Sequence, residues 1–424
     1  MALEDYKADM ERCSRCSYCK WIPFPHVKSW RFAKGCPSIE YNKFQSYSAG
    51  GRLSVALSLL EGRSSYSDRV LDVAYKCLMD GSCDVACKVC RYNMEPLEAI
   101  REWRFRLVEE GRLLPQHMPV IDNLRKEDNM MMKPRAERGK WAKGLKVKDL
   151  TAAKASVVFH AGCRFSYDEE QWQVARTAVT LLKNAGVDIG IMGKDETCCG
   201  GRAYDMGYQG EFIKYAENNM EAWKNAGVKT VVTSCSDCYH AFKRLYPAHG
   251  SKFEVLHTVE YIDRLIKDGK IKLSKAIPMT VTYHDPCHLG RRGEPYVPWN
   301  GVEKKIRGQI VVHEPRKPRY NGAHGVYQPP RDVLRSIPGL QLVEMERIRE
   351  YAWCCGSGGG VREAYPDFSS WTAGERIEEA KATGAQALVT ACSWCERNFM
   401  DAVNTNGTSM KVYDIVELVK QAIK

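Results

Sequence analysis

Ser156-Val-Val-Phe-His-Ala-Gly-Cys163 and Thr280-Val-Thr-Tyr-His-Asp-Pro-Cys287 are two copies of one phrase. Each is a β-branched and aromatic run that ends in a cysteine, the pattern of a buried strand. The same words follow each copy in the same order. Cys198-Cys199-Gly200 matches Cys354-Cys355-Gly356, and Cys235-Ser-Asp-Cys238 behind Val228 to Thr233 matches Cys392-Ser-Trp-Cys395 behind Ala385 to Thr390. An internal repeat governs the reading of everything between its words. Trp172, Ala175, Val179 and Leu182 recur at helical steps up to Gly186, and short strands are expected at Val187 to Met192 and Leu340 to Met345. Strand alternating with helix predicts an α/β fold, a mostly parallel sheet flanked by helices in each copy. Ligands of such sheets sit beyond the carboxyl ends of the strands. Cys163, Cys235, Cys287 and Cys392 all end predicted strands, so each copy brings five thiolates to one crevice.

The copies differ in one interval. Between the first cysteine and the Cys-Cys pair lie 34 residues in copy one and 66 in copy two, whereas the next intervals are 35 and 36. The difference of 32 residues is an insertion placed near 291–324, rich in Pro, Gly and Arg. It is expected to be a partner- or substrate-facing loop or, more plainly, a solvated excursion.

The chain has 424 residues, 18 of them cysteine. That is too few for a small disulfide scaffold and too many for incidental core use, which points to metal or redox chemistry in a reducing compartment. All 18 fall into three groups: Cys13, Cys16, Cys19, Cys36, Cys77, Cys83, Cys87 and Cys90; Cys163, Cys198, Cys199, Cys235 and Cys238; Cys287, Cys354, Cys355, Cys392 and Cys395. Thiolates select zinc or iron–sulfur centres, and five per copy exceed the four that a tetrahedral ion or cubane takes. Gly200 and Gly356, with Gly201 and Gly358 to Gly360, would let backbone approach a cluster and offer amides to its sulfurs. His160 and His284 stand three residues before the first cysteine of each pentad, as structural histidines, as donors to a cluster sulfur or as proton sources. The acidic Asp195, Glu196 and Asp237 beside one pentad, against Tyr351, Trp353 and Trp394 beside the other, predict unequal potentials.

The paired units resemble the CCG domains of the catalytic subunit of heterodisulfide reductases and their relatives, over about 151–424. The resemblance implies one noncubane four-iron cluster per pentad, hence two. Cys13-x2-Cys16-x2-Cys19 begins like a bacterial ferredoxin run, but Cys36-Pro37 comes late, and Cys77-x5-Cys83-x3-Cys87-x2-Cys90 departs from the usual spacing. Two [4Fe-4S] cubanes are expected there, with the pairing of cysteines to clusters open and zinc knuckles as the alternative. Four segments result: a helical ferredoxin-type two-cluster module at 1–115, a basic linker at 116–150, a first CCG domain at 151–275 and a second at 276–424. The whole resembles the fused electron-transfer and catalytic subunit of membrane-linked heterodisulfide reductases. It is also similar to an iron–sulfur subunit, the one designated D, in the tungsten-containing benzoyl-coenzyme A reductase complex. Such a chain is implied to carry electrons within a multi-subunit anaerobic complex. A catalytic disulfide reductase of the CoM-S-S-CoB type and a zinc-thiolate docking protein are the alternatives.

Partners are expected to be other redox subunits: a flavoprotein or ferredoxin donor, and a catalytic or membrane subunit. No flavin or nicotinamide motif is present, because the glycines follow cysteines and not a strand. A net charge of +11 favours acidic partners. Lys133 to Lys148 holds seven basic residues and only Glu137 against them, a solvated tether or a strap around an acidic partner, with no module that reads nucleic acid. No apolar run approaches the ~20 residues of a membrane span and Met1 to Met10 lacks a signal peptide's pattern, so a cytoplasmic location, peripheral to the inner membrane through its complex, is expected.

Overall fold

The computed structural model describes residues 2–90, 94–307 and 310–423. The N-terminal part is helical. Ala49–Leu60, Asp68–Tyr75, Ser82–Cys90 and Pro96–Glu109 are its main helices, the first two capped by Ser48 and Ser67, whose side chains accept from Gly51 N and Val70 N. Leu3, Tyr6, Met10, Leu53, Val73, Trp103 and Leu107 pack as its own core.

Two parallel sheets follow. The first contains β1 (Lys148–Asp149), β2 (Val157–Phe159), β3 (Ile189–Ile191), β4 (Thr230–Thr233) and β5 (Glu254–His257), in the order β1-β3-β2-β4-β5. The second contains β6 (Met279–Tyr283), β9 (Leu340–Val343), β10 (Ala387–Thr390) and β11 (Lys411–Asp414), in the order β11-β10-β6-β9. Apart from β1 the two are superimposable in topology: β2, β3, β4 and β5 correspond to β6, β9, β10 and β11. Every pairing within them is parallel. In each, the chain leaves the central strand to one side and returns on the other, so the switch point, where a crevice opens, lies at the carboxyl end of β2 or β6. The correspondence extends to helix caps. His257 and Asp414, the last residues of β5 and β11, each accept from the backbone two residues on and are each closed by a glutamate, Glu260 or Glu417. One continuous hydrophobic core joins both units, from Trp141 to Ala422.

The basic segment at 116–150 is structured. Met118–Glu127 is a helix whose Val120, Ile121 and Leu124 pack against Met206 and Tyr215. Arg138 and Trp141 are buried, and Lys148 opens β1 as an edge strand on β3. Six of the seven basic residues from Lys133 to Lys148 are exposed, but the segment is part of the first unit rather than a tether. Composition could not show this, because the partners of Arg138 are brought to it only by the fold.

The insertion is an antiparallel hairpin, β7 (Val302–Ile306) paired with β8 (Ile310–Glu314), with β7 wholly exposed. Its root is not solvated: Arg291 and Arg292 are buried. The helix after it spans Gln328–Ser336, with proline in its first turn.

Candidate metal centres

The strand ends deliver the cysteines. Cys163 lies in the helix Gly162–Tyr167 just after β2, and Cys235 and Cys392 are the residues before the helices that follow β4 and β10. Cys238 and Cys395 occupy the first turns of those helices, and hydrogen bonds to neighbouring sulfurs together with burial push both thiols well up. All ten thiols of the two pentads are buried.

They form one unbroken line of S–H···S contacts: Cys163, Cys198, Cys199, Cys238, Cys235, then across to Cys392, Cys395, Cys355, Cys354 and Cys287. The line reads the same from either end. Its midpoint, Cys235 against Cys392, is where the two units meet. Cys199 and Cys355, the second cysteine of each adjacent pair, are both pushed down to about 6, by hydrogen bonds from Cys198 or Cys354 first and from Cys238 or Cys395 second. Cys163 and Cys287, at the ends, are pushed well up, by donating to Cys198 or Cys354 and by burial.

Backbone reaches the sulfurs where glycine permits. Gly200 N and Gly356 N stand 3.4 and 3.5 Å from Cys198 Sγ and Cys354 Sγ. Both glycines are left-handed, with φ of 74° and 95°, and a Cβ on Gly356 would lie 2.4 Å from Ser369 O. Gly358 to Gly360 do something else. A Cβ on Gly358 or Gly359 would meet Leu78 O at 2.3 Å or Cys77 O at 2.6 Å, so this run admits the N-terminal module.

His160 and His284 are fully buried, and burial holds both below the usual histidine range. His284 Nδ1 accepts from Arg376 Nε at 3.1 Å, and one of its ring nitrogens lies within 4.8 Å of the sulfurs of Cys355 and Cys395. His160 has Nδ1 3.8 Å from Glu196 and no hydrogen-bond partner among the described residues. Sequence reasoning missed two groups that touch the pentads and a third that stands behind them. Arg138 stands 3.7 Å from Cys163 Sγ and pairs with Glu196 at 2.9 Å. His288 Nδ1 stands 3.4 Å from Cys287 Sγ and 3.1 Å from Asp237. Arg292 donates to Asp205 and to His240, linking the two units behind the thiols. His288 adjoins Cys287 in the sequence and was open to notice; Arg138 was not.

In the N-terminal module Cys16 is exposed, while Cys19, Cys77 and Cys83 are buried. Cys87 feels the charges of Cys19, Cys13 and Cys16, which places it with that triplet. Cys36 is pushed up to about 12 by burial and then by Asp80, with Cys77 also adjacent, and Cys83 is raised by burial, Asp84, Cys77, Asp80 and Cys36. Among the described residues two groups therefore form, Cys13, Cys16, Cys19 and Cys87, and Cys36, Cys77 and Cys83, with Cys19 in one packed cluster with Cys77 and Cys83. The side chain of Cys90 lies outside the described residues. Asp80 also acts on Cys354, so the second group adjoins the second pentad.

Comparison with known proteins agrees with this geometry. The family of CCG cysteine-rich domains matches residues 157–243 and 310–400. The chain is 31% identical to the D chain of the dihydromethanophenazine:CoB–CoM heterodisulfide reductase of Methanosarcina mazei, over 98% of this chain and 94% of the relative. The chain belongs to this heterodisulfide reductase family. A probable iron–sulfur-binding oxidoreductase of Bacillus subtilis is 27% identical over 95% of this chain and 53% of its own length. An EtfAB:quinone oxidoreductase of Syntrophomonas wolfei is 28% identical over 81% and 46%. A hypothetical protein from Helicobacter pylori shares the fold, with a TM-score of 0.57 over 88% of this chain and 67% of that one, at 10% identity. This member of the heterodisulfide reductase family is an iron–sulfur electron-transfer oxidoreductase subunit, with iron–sulfur clusters as cofactors and partner redox subunits around it. Among the described residues no helix is long and apolar enough to cross a membrane.

Proposed function

We propose that this subunit carries electrons along four centres, two cubane and two noncubane four-iron clusters, between a partner redox subunit and a two-electron acceptor. The observation that carries this is the order of the thiols. Cys16 opens to solvent in the first group, the second group adjoins the second pentad through Asp80 and Cys354, and the second pentad touches the first through Cys392 and Cys235. The donor sets fit the clusters: among the described residues the thiols are free, those of the pentads are buried, and amides from Gly200 and Gly356 are aimed at sulfur. When bound, the clusters supply one-electron storage at each step. The protein excludes water from the pentads, holds Cys199 and Cys355 below the usual thiol range through hydrogen bonds from neighbouring cysteines, and places the cation of Arg138 beside Cys163.

Reduction of a disulfide within this chain is a second reading, supported by a cavity lined by Cys287, Cys355, Cys392, Cys395, Ser357 and Trp394. The purified subunit, given reduced viologen and an organic disulfide, separates the two. Turnover that depends strictly on partner subunits supports the relay. Disulfide reduction by the chain alone supports the second reading.

A further inference from the structure

Among the described residues the second group of module thiols has three members, and a cubane takes four ligands. The sequence offers a fourth in register. Cys77-x2-Asp80-x2-Cys83-x3-Cys87 has the spacing of the ferredoxin run Cys-x2-Cys-x2-Cys-x3-Cys, with aspartate at the second position. In that run the first three positions serve one cluster and the fourth serves the other. The structure divides the residues in the same way. Cys87 stands with Cys13, Cys16 and Cys19, and Cys36 stands with Cys77, Cys83 and Asp80.

The loop that carries Asp80 is buried and tightly held. Arg104 donates to Cys77 O at 2.8 Å, Arg292 to Met79 O at 2.6 Å and Arg291 to Asp80 O at 2.6 Å. Met79 adopts a left-handed φ of 51°, a conformation that non-glycine residues keep when surrounding structure imposes it. Arg291 Nη2 binds Asp80 Oδ2 at 2.7 Å, while Oδ1 has only the 3.3 Å contact from Ser82 N. One carboxylate oxygen is thus oriented by an arginine and the other remains able to bind. Cys19, Cys77, Met79 and Cys83 pack with Ala49, Leu97 and Ile100, which shields this part of the module from water.

We propose that Asp80 is the fourth ligand of the cubane held by Cys36, Cys77 and Cys83, which leaves Cys90 outside both ligand sets. This rests on the four-cluster reading above. A carboxylate is a harder ligand than a thiolate and holds its iron less firmly in a sulfide cluster. One corner of this cluster is then labile. Ferricyanide takes one electron from the [4Fe-4S]2+ form, that corner leaves as Fe2+, and [3Fe-4S]1+ remains.

The test uses the full chain, as wild type and as Asp80→Cys, Asp80→Ala and Cys90→Ser. Iron and sulfide are counted and EPR spectra taken before and after ferricyanide. Wild type and Cys90→Ser should each lose one iron per chain and gain the signal of a three-iron cluster. Asp80→Cys should resist that loss, and Asp80→Ala should already lack the iron as purified. The proposal is overturned if Asp80→Cys and wild type respond alike, or if Cys90→Ser and not Asp80→Ala lacks iron. Should Asp80→Ala fail to fold, the comparison of wild type with Asp80→Cys still decides. A wild-type chain with about half the iron of four clusters, or with zinc, would instead defeat the four-cluster reading.

Discussion

The smallest unit of this protein's chemistry is the residue beside a thiol. Gly200 and Gly356 show why a glycine follows each cysteine pair: only a left-handed residue turns its N–H toward the sulfur two positions back. Gly356→Ala should cost more than Gly200→Ala, because the new Cβ would lie 2.4 Å from Ser369 O in one case and 3.0 Å from Phe212 Cα in the other. A destabilisation of roughly 1–3 kcal/mol from the backbone conformation alone, with loss of iron from the second pentad, is expected for Gly356→Ala; denaturation and iron analysis of both variants check the order. His117 makes a pH prediction. It is buried, its Nε2 donates to Gly360 O at 3.0 Å, and burial lowers it from 6.5 to about 4. Between those values the unfolded chain binds a proton that the folded chain refuses, so stability falls as pH drops through the window and is fully present above it. His117→Gln should flatten the pH dependence of the thermal midpoint between about pH 6.5 and 5; an unchanged slope contradicts the assignment. The cysteine words were plain in the sequence because ligands to one cluster recur in fixed spacing. Asp80 was hidden in the same pattern, since a run read for cysteines alone shows a gap where the carboxylate stands.

At the scale of elements, the repeat is the main design, and it was readable because strands with buried faces are short and apolar and each phrase ends in a cysteine. β2 with β6 and β4 with β10 fall where the two phrases place them. The insertion was located by interval length, but its form was not, because an exposed hairpin needs no apolar alternation. β7 and β8 pair only with each other, and Trp299 closes on His313 and on Pro315 O within the same excursion. Replacing residues 298–318 by a short Gly-Ser link should therefore leave iron content unchanged and stability within about 1 kcal/mol. Loss of the pentad clusters in that deletion would mean that the hairpin supports the core. Its anchors, Arg291 and Arg292, must be kept, because they bind Asp80 and Asp205. The segment at 116–150 failed the same kind of reading. Its charges are those of a solvated strap, and the one cation that matters is the one that is buried.

Across the whole molecule, three units lie along the proposed electron path and are tied by buried arginines. Arg104 is the clearest tie. It donates to Ala74 O, Tyr75 O and Cys77 O in the module, to Asp205 O in the first unit and to Gly359 O in the second. Gly207 lets this helix approach, since a Cβ there would lie 2.6 Å from Arg104 O. Arg104→Leu strands several buried carbonyls at ~1–3 kcal/mol each and should destabilise the protein by more than ~3 kcal/mol, seen as a lower denaturation midpoint of all three units together. A variant that unfolds the module alone, with the sheets unaffected, would show the units to be independent. None of these ties could be read from sequence, because each joins residues 27 to 255 positions apart. The path itself is tested most directly by iron, acid-labile sulfide and zinc per chain on anaerobically purified protein. Two cubanes and two noncubane clusters predict about sixteen irons with matching sulfide and no zinc. About eight irons, with zinc or empty thiols at the pentads, would contradict a four-centre path and leave only the N-terminal module to carry electrons.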